Sequence, residues 1–307
     1  MPRFDLLLAE AARIPWAILP EKGQAIAAAL TRAANGTKAD AATVAGAVAA
    51  KKAKPKPQRT SVAVLPIYGT ITQRADFFTE WSGGASTDAL GRHLDELVAD
   101  DSVEAVVLDV DSPGGSVYGV EEFAKKVHEA TKVKKVVAVA NSVAASAAYW
   151  IASQASELVV TPNGEVGSIG VYMMHRDVSK AVEAAGHKVT FISAGEKKTA
   201  GHPYGPLDET ARAELQGGVD DYYDKFVRAV ARGRNATLTA VRSGFGQGGM
   251  VRAEQAVKDG MADRVATLDE VLRKWGVRAA DLMPAADGGE KPDYEVEIRK
   301  RRMRADQ

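Results

Sequence analysis

The chain has 307 residues, and its 40 Lys and Arg balance its 40 Asp and Glu, so its formal net charge is zero. This balance argues against a protein that coats nucleic acid generally, because such binding requires an excess of basic side chains. The chain contains no cysteine, which excludes disulfides, Cys-ligated zinc, iron–sulfur clusters and thiol catalysis. Any catalysis must therefore use Ser, Thr, His, Lys or carboxylate side chains.

Composition divides the chain into three parts. Residues 1–60 are Ala-rich, with ten basic and four acidic side chains, and Pro55 and Pro57 disfavour helix near their end. We predict an N-terminal helical arm followed by a basic linker, and an arm that docks onto an acidic partner is the alternative. Residues 61–280 are expected to form the main domain. Residues 281–307 are polar and basic and are expected to be a flexible tail.

The sequence shows neither a signal peptide nor a membrane anchor. The first apolar run is short and is interrupted by Glu10, and no later stretch approaches 18 uncharged apolar residues. We therefore expect a protein without a membrane anchor that stays inside the cell that makes it.

Strand-like and helix-like runs alternate through the main domain. The predicted strands cover residues 61–67, 105–110, 136–140, 158–160, 169–172 and 189–192. The predicted helices cover residues 86–98, 120–130, 146–153, 178–185, about 208–232, 254–258 and 268–275. Alternation of apolar strands with amphipathic helices predicts an α/β fold with largely parallel strand pairing.

The first candidate functional segment is Asp111-Ser-Pro-Gly-Gly115, directly after a predicted buried strand. Two glycines at the end of a strand let backbone N–H groups approach a ligand closely, as an oxyanion hole requires. A plain Pro-Gly turn explains the same residues.

The second candidate is Ser146, which follows another predicted buried strand and opens a helix. The alanines on both sides of it permit close backbone approach to its hydroxyl, and a helix N-terminus favours a developing negative charge. A serine that only caps an Ala-rich helix is the alternative.

A serine nucleophile needs a base. The five histidines, which are His93, His128, His175, His187 and His202, are scattered and are expected to be surface residues. A lysine can act as the base when burial lowers its pKa. Lys197 and Lys198 follow the turn at Gly195, although both could equally be solvated loop lysines.

The order of these segments resembles the signal peptide peptidase A family of Ser–Lys proteases, which have the Clp-protease/crotonase fold of repeated strand–strand–helix units. The motifs are Asp111–Gly115, Ala144-Ala-Ser-Ala-Ala-Tyr-Trp150, Gly167-Ser-Ile-Gly-Val171, the lysine turn at Gly195 and the closing segment 253–263. The resemblance runs from about Ser61 to Val265 and implies a Ser–Lys protease domain over residues 61–280.

The resemblance assigns roles to five residues. It implies Ser146 as the nucleophile and Lys198 as the general base, because the family's lysine is the third residue after the turn glycine. It places Gly114 and Gly115 at the oxyanion hole, with Gly115 N–H favoured as the donor, and it implies that Ser168 orients the lysine. Where the family often has glycines after the nucleophile, this chain has Ala147 and Ala148. No metal or other cofactor is expected.

Within the family, the segment Ile14-Pro-Trp-Ala-Ile-Leu-Pro-Glu21 is similar to phage head maturation proteases. That resemblance implies a homo-oligomeric ring that cleaves scaffold, portal or capsid proteins in the procapsid or host cytoplasm, with no requirement for nucleic acid. A membrane-independent peptidase of the same family that cleaves signal peptides or degrades proteins is one alternative. A non-catalytic capsid assembly component and a crotonase-type acyl-CoA enzyme are the others.

Overall fold

The strands of the protein form two sheets, and helices cover both faces of the larger one. A computed structural model describes residues 15–34, 62–74, 84–195 and 197–279. Its strands are β1 (Trp16–Ile18), β2 (Val62–Tyr68), β3 (Ile71–Thr72), β4 (Ala85–Ser86), β5 (Ala105–Ser112), β6 (Gly114–Ser116), β7 (Lys135–Ala145), β8 (Glu157–Val160), β9 (Glu165–Gly167), β10 (Met250–Arg252) and β11 (Arg264–Val265). Its α-helices are α1 (Pro20–Ala34), α2 (Thr87–Ala99), α3 (Val120–Ala130), α4 (Ala147–Ala152), α5 (Ser179–Ala184), α6 (Glu209–Gly233), α7 (Leu238–Gly244), α8 (Ala253–Lys258) and α9 (Leu268–Leu272), with 3-10 turns at Gly246–Gly248 and Arg273–Trp275.

The larger sheet has the order β10-β9-β7-β5-β2, and β8 joins β7 to β11. Strands β2, β5 and β7 are parallel, with Val62 opposite Ala105 and Ala105 opposite Lys135. The long strand β7 pairs with β8 along its first half and with β9 along its second half. Apolar clusters cover both faces of this sheet, which explains why its central strands read as continuous apolar runs.

The smaller sheet has the order β1-β6-β3-β4. Its strand β6 follows β5 after a single residue, and the pairing of β5 with β7 shifts register between Val110 and Ser112. The chain therefore leaves the larger sheet at Ser112 and enters the smaller one at Gly114. This crossing lies at the carboxyl end of β5, the end where parallel sheets usually bind ligands.

Helix ends follow local capping chemistry. The Ser86 hydroxyl accepts a hydrogen bond from Ala89 N–H at the start of α2, and the Asp208 carboxylate accepts one from Ala211 N–H at the start of α6. Thr267 and Glu270 form a capping box on α9. Such caps satisfy N–H groups that the first helical turn leaves without partners.

The predicted α/β class is confirmed, as is its arrangement in strand–strand–helix units such as β5-β6-α3. The helix predicted over 120–130 matches α3 at both ends, and the helix predicted over about 208–232 is α6. Two strand predictions were wrong. Residues 189–192 form no strand and are exposed, and in 169–172 only Tyr172 makes an isolated bridge, because an apolar run forms a strand only where a partner strand is available to it.

An ion pair between a buried guanidinium and a half-exposed carboxylate links the C-terminal end of α6 to the larger sheet. Two nitrogens of the Arg234 guanidinium donate to the Asp263 carboxylate at 2.9 and 2.8 Å, and Leu158 N–H donates to the same carboxylate at 2.6 Å. Partial burial acts to raise the pKa of Asp263, but these donors and the Arg234 charge outweigh it and hold the pKa below its usual value.

Asp263→Asn is expected to lower the free energy of unfolding by about 1–3 kcal/mol at neutral pH, because the Arg234 side chain, only 7% exposed, loses its partner. A carboxylate with a depressed folded-state pKa stabilises above its unfolded-state pKa, about 3.9, and loses this effect as the pH falls through the folded-state value. The difference between wild type and variant, measured by urea unfolding, should therefore shrink below about pH 4. Asp224→Asn is the matched control, because its pair with Arg242 is half exposed on both sides and should cost less than about 1 kcal/mol. A difference independent of pH would contradict the ion-pair explanation.

Candidate active site

Ser146 lies at the junction between the end of β7 and the start of α4. Its backbone has φ 55° and ψ −117°, a conformation that costs a residue with a side chain about 1–3 kcal/mol. Two backbone hydrogen bonds hold it there: Ser146 N–H donates to Gly167 O at 2.8 Å, and Trp150 N–H donates to Ser146 O at 2.9 Å. A serine held at positive φ between a strand and a helix is the backbone geometry of a nucleophile elbow.

The Ser146 hydroxyl does not cap the helix. The start of α4 has no side-chain capping bond, so the helix-cap interpretation of this serine was wrong. Its Oγ instead donates a long hydrogen bond of 3.4 Å to Gly170 O. The residue is only 1% exposed.

Gly114 and Gly115 lie beside Ser146, on the strand β6. A Cβ on Gly114 would come within 3.0 Å of Ser146 Cβ and 2.9 Å of Ala145 O, and a Cβ on Gly115 would come within 1.8 Å of Ile71 O. Both positions are therefore closed to any larger residue. Gly114 N–H donates to the Ser112 hydroxyl at 3.2 Å, whereas Gly115 lies opposite Ala17 in the pairing of β6 with β1.

The loop 167–170 forms the opposite wall of the site. Gly167 and Gly170 supply the carbonyls that Ser146 contacts, and Ser168 lies between them at φ 52°. Ser168 N–H donates to Gly249 O at 2.8 Å. Within the described ranges, no hydrogen bond of the Ser168 hydroxyl is found, so this buried group can accept a further partner.

The predicted lysine is exposed, whereas Ser146 is buried. Lys198 is exposed, in a turn in which its N–H donates to Gly195 O at 3.1 Å. Lys197 forms an ion pair with Glu214 at 3.4 Å. Among the residues that the structure describes, neither lysine forms a hydrogen bond with Ser146.

The segment that carries these lysines exposes apolar side chains to solvent. Val189 and Phe191 are each nearly half exposed, and Ile192 is 100% exposed. Burying such side chains is favourable, so this face of the molecule is suited to contact with another surface.

A buried carboxylate, that of Asp109, lies on β5, the strand that leads into the glycines of β6. Asp109 accepts a hydrogen bond from the Tyr68 hydroxyl. Burial raises the pKa of Asp109, and hydrogen bonds from Tyr68 and Asn141 oppose that rise only in part. Burial and the nearby Asp109 charge also raise the pKa of Tyr68. Tyr68 and Asp109 thus form a polar pair on the neighbouring strands β2 and β5 that residue patterns did not predict.

Within the described ranges, none of the five histidines forms a hydrogen bond with Ser146. His187 is exposed and the other four histidines are partly exposed, so none of the five is buried. In the described part of the chain, no group of three or more His, Asp or Glu side chains could hold a metal ion.

A strand from the N-terminal region completes the site, and sequence reasoning missed it. Strand β1 pairs with β6 on one side and meets Tyr172 on the other, although this region was predicted as a helical arm. The signal was present, because Pro15 and Pro20 bracket the apolar run 16–19, and a residue that precedes proline favours extended backbone.

Comparison with known proteins assigns the chain to a family. Residues 128–280 match the family described as Peptidase family S49. A putative protease of Synechocystis sp. is 30% identical over 189 residues, which cover 62% of this chain and 68% of that relative. The chain belongs to peptidase family S49.

Two further relatives of this S49 chain confirm the predicted resemblance, one to phage capsid proteases and the other to signal peptide peptidase A. Capsid assembly protease C of Escherichia phage lambda is 30% identical over 211 residues, covering 69% of this chain and 48% of the phage protein. A putative signal peptide peptidase SppA of Enterococcus faecium is 31% identical over 183 residues, covering 58% of this chain and 52% of that relative. The S49 chain thus spans about half the length of these two relatives. Among its described helices, none is long and apolar enough to cross a membrane.

Proposed function

We propose that this S49 chain is a serine endopeptidase in which Ser146 is the nucleophile and Lys198 is the general base. The observation that carries the proposal is the backbone of Ser146, which is held at φ 55° with a hydroxyl that caps no helix. Such strain persists only where surrounding contacts impose it, and it is common at active sites. Family S49 membership favours peptide cleavage over the crotonase-type reaction.

The proposed reaction is acyl transfer through an acyl-enzyme. The neutral amine of Lys198 takes the proton of the Ser146 hydroxyl, and Oγ attacks the peptide carbonyl carbon. Gly115 N–H and Ala147 N–H stabilise the oxyanion that forms, since the first residue of α4 has no helical acceptor for its N–H. When the C–N bond breaks, the Lys198 ammonium gives its proton to the leaving amine.

Deacylation uses the same lysine, with water as the nucleophile and Ser146 as the leaving group. Lys198 takes a proton from a water molecule, whose oxygen attacks the ester carbonyl of the acyl-enzyme. The C–O bond to Ser146 then breaks, and Lys198 returns the proton to Oγ. No metal or other cofactor takes part in this proposal.

The dyad requires that Lys198 move to the site. Its segment exposes Phe191 and Ile192, and we propose that these side chains become buried when copies of the chain assemble into a homo-oligomeric ring. Packing of the segment would bring the amine to Ser168, whose buried hydroxyl has acceptor capacity to spare. A lysine removed from water in this way becomes a stronger candidate for a neutral base.

The proposed substrates are capsid, portal or scaffold proteins during phage head maturation. Support comes from the name of the lambda relative and from its similarity over 69% of this chain. Protein substrates of a cellular peptidase are the alternative, favoured by the name of the Enterococcus faecium relative. The proposed location is accordingly the procapsid or the host cytoplasm.

Labelling with a fluorophosphonate probe tests the nucleophile. After overnight incubation, mass spectrometry of the wild-type protein is expected to find the phosphonyl group on Ser146, because this probe reacts with activated serines. Ser146→Ala should abolish the label, and Ser243→Ala, on the exposed helix α7, should retain it. Wild-type protein that stays unlabelled would favour a non-catalytic assembly component.

A further inference from the structure

Strand β1 is inserted between the two segments that flank Ser146. On the β6 side, Leu19 N–H donates to Pro113 O at 2.9 Å, and Val117 N–H donates to Pro15 O at 3.2 Å. On the other side, Trp16 and Tyr172 exchange both backbone hydrogen bonds, at 2.9 and 3.0 Å. We call the space between β6 and Tyr172, which β1 fills, the groove. Hydrogen bonds to β1 thus satisfy the backbone groups along both of its edges.

The register of β1 places one carbonyl at the proposed oxyanion donor. In an antiparallel ladder, hydrogen-bonded pairs alternate with non-bonded ones. Residue 15 with residue 117 and residue 19 with residue 113 are bonded pairs, so Ala17 with Gly115, which lies between them in the register, is bonded too. Gly115 N–H therefore points at Ala17 O.

The same carbonyl lies next to the nucleophile. Ala17 O is 2.2 Å, and Ser146 Cβ is 3.0 Å, from the point that a Cβ on Gly114 would occupy. Ala17 is wholly buried, and Trp16 and Ile18 on either side of it are buried as well. In this arrangement a second peptide has no access to the groove.

We propose that residues 15–19 occupy the peptide-binding groove as a substrate-like strand and inhibit the enzyme until they are displaced. Ala17 takes the position of the residue whose carbonyl is attacked. The inference rests on the proposed function, which makes Ser146 reactive. It adds that the groove binds extended backbone on both edges and accepts a small side chain at the position of Ala17.

Tethering explains why so short a strand is effective. A segment linked to its own binding site acts at a local concentration in the millimolar range. A substrate in trans must exceed this concentration or must bind through further contacts. Inhibition is therefore expected to be strong against short peptides and to be relieved by any change that releases β1.

The experiment measures peptide binding by the full-length chain without catalysis. A fluorescein-labelled peptide with the sequence of residues 14–20 is titrated by fluorescence anisotropy against Ser146→Ala protein and against the Ser146→Ala/Ala17→Arg double variant. A buried arginine at position 17 should expel β1, so the double variant is expected to bind the peptide at least ten times more tightly. Adding Gln24→Ala, on the exposed face of α1, to Ser146→Ala is the matched control and should leave binding weak. Equal affinity in all three folded proteins would overturn the proposal.

A second measurement avoids the substitution at Ala17, which could impair folding. Millimolar unlabelled peptide is added to full-length Ser146→Ala protein, and amide hydrogen exchange of residues 16–18 is followed by mass spectrometry. Competition for the groove should speed the exchange of these amides several-fold, and the exchange of α3 should not change. Unchanged exchange of β1 at saturating peptide would count against the substrate-like strand.

These assays separate the two proposals. Both use Ser146→Ala protein, so their outcome is independent of whether Ser146 reacts. With a reactive Ser146, Ala17→Arg should also speed fluorophosphonate labelling about ten-fold over wild type. Tighter peptide binding together with no labelling of either protein would refute the proposed catalysis and leave the occupied groove intact.

Discussion

Ser146→Ala is expected to reduce cleavage of casein by at least about 10³-fold. The variant removes the atom that forms the acyl-enzyme, and neither remaining backbone donor can replace it. The fold should survive, because the side chain makes only one long hydrogen bond of 3.4 Å to Gly170 O. Cleavage is measured as release of acid-soluble peptide, with unfolding followed by circular dichroism to establish equal stability.

The two adjacent lysines provide a matched pair for the base. Lys198→Ala is expected to lose activity to the same extent as Ser146→Ala, whereas Lys197→Ala should retain most of it, because Lys197 pairs with Glu214 on α6. Since residues that act as a unit have non-additive effects, the Ser146/Lys198 double variant should be no worse than either single variant. Full activity of Ser146→Ala would refute Ser146 as the nucleophile. Loss of activity in Lys197→Ala, with activity retained in Lys198→Ala, would assign the role of base to Lys197.

Trp150→Ala should cause the largest loss of stability, about 3–5 kcal/mol. The Trp150 ring is fully buried and stacks on Phe226 of α6, with ring centroids 4.6 Å apart and an interplanar angle of 10°. Its removal leaves a cavity between α4 and α6. The backbone N–H of Trp150 also donates a hydrogen bond to Ser146 O. Loosening of α4 should therefore slow the labelling of Ser146 as well.

Trp150→Phe is the control for this substitution. It keeps an aromatic ring against Phe226 and removes an indole N–H that has no partner among the described residues. Its cost should be less than half that of Trp150→Ala in urea unfolding at equal m-value. Equal losses for the two variants would show that ring stacking is not what fastens α4 to α6.

Local patterns were sufficient for much of the fold. The predicted helix over residues 86–98 appears as α2, because Leu90, Leu94 and Leu97 lie on one face and all three are buried. The run 105–110 became the centre of β5, since a strand buried on both faces is apolar throughout. The motif at Asp111–Gly115 was correctly placed at the end of this strand.

Features that depend on distant partners could not be read from local residues. The apolar run 189–192 resembles a strand, but no strand in the described structure pairs with it. Strand β1 forms only because β6 and Tyr172 offer two edges, one about 100 and the other about 150 residues further along the chain. The positive φ of Ser146 depends likewise on the Gly167 carbonyl. The predicted contact between Lys198 and Ser146 also depends on the segment 189–198, whose apolar run has no partner strand among the described residues.

The edge strand β10 of the larger sheet has a consequence for the order in which the protein becomes competent. Gly249 O holds Ser168, and Met250 lies opposite Gly167, whose carbonyl fixes Ser146. A growing polypeptide on the ribosome therefore lacks one wall of the Ser146 pocket until β10 has emerged. Nascent chains that end before β10 contain Ser146 but lack the contacts of Gly249 and Met250 to the loop 167–170. Synthesis itself therefore delays the reactivity of Ser146 until most of the chain exists.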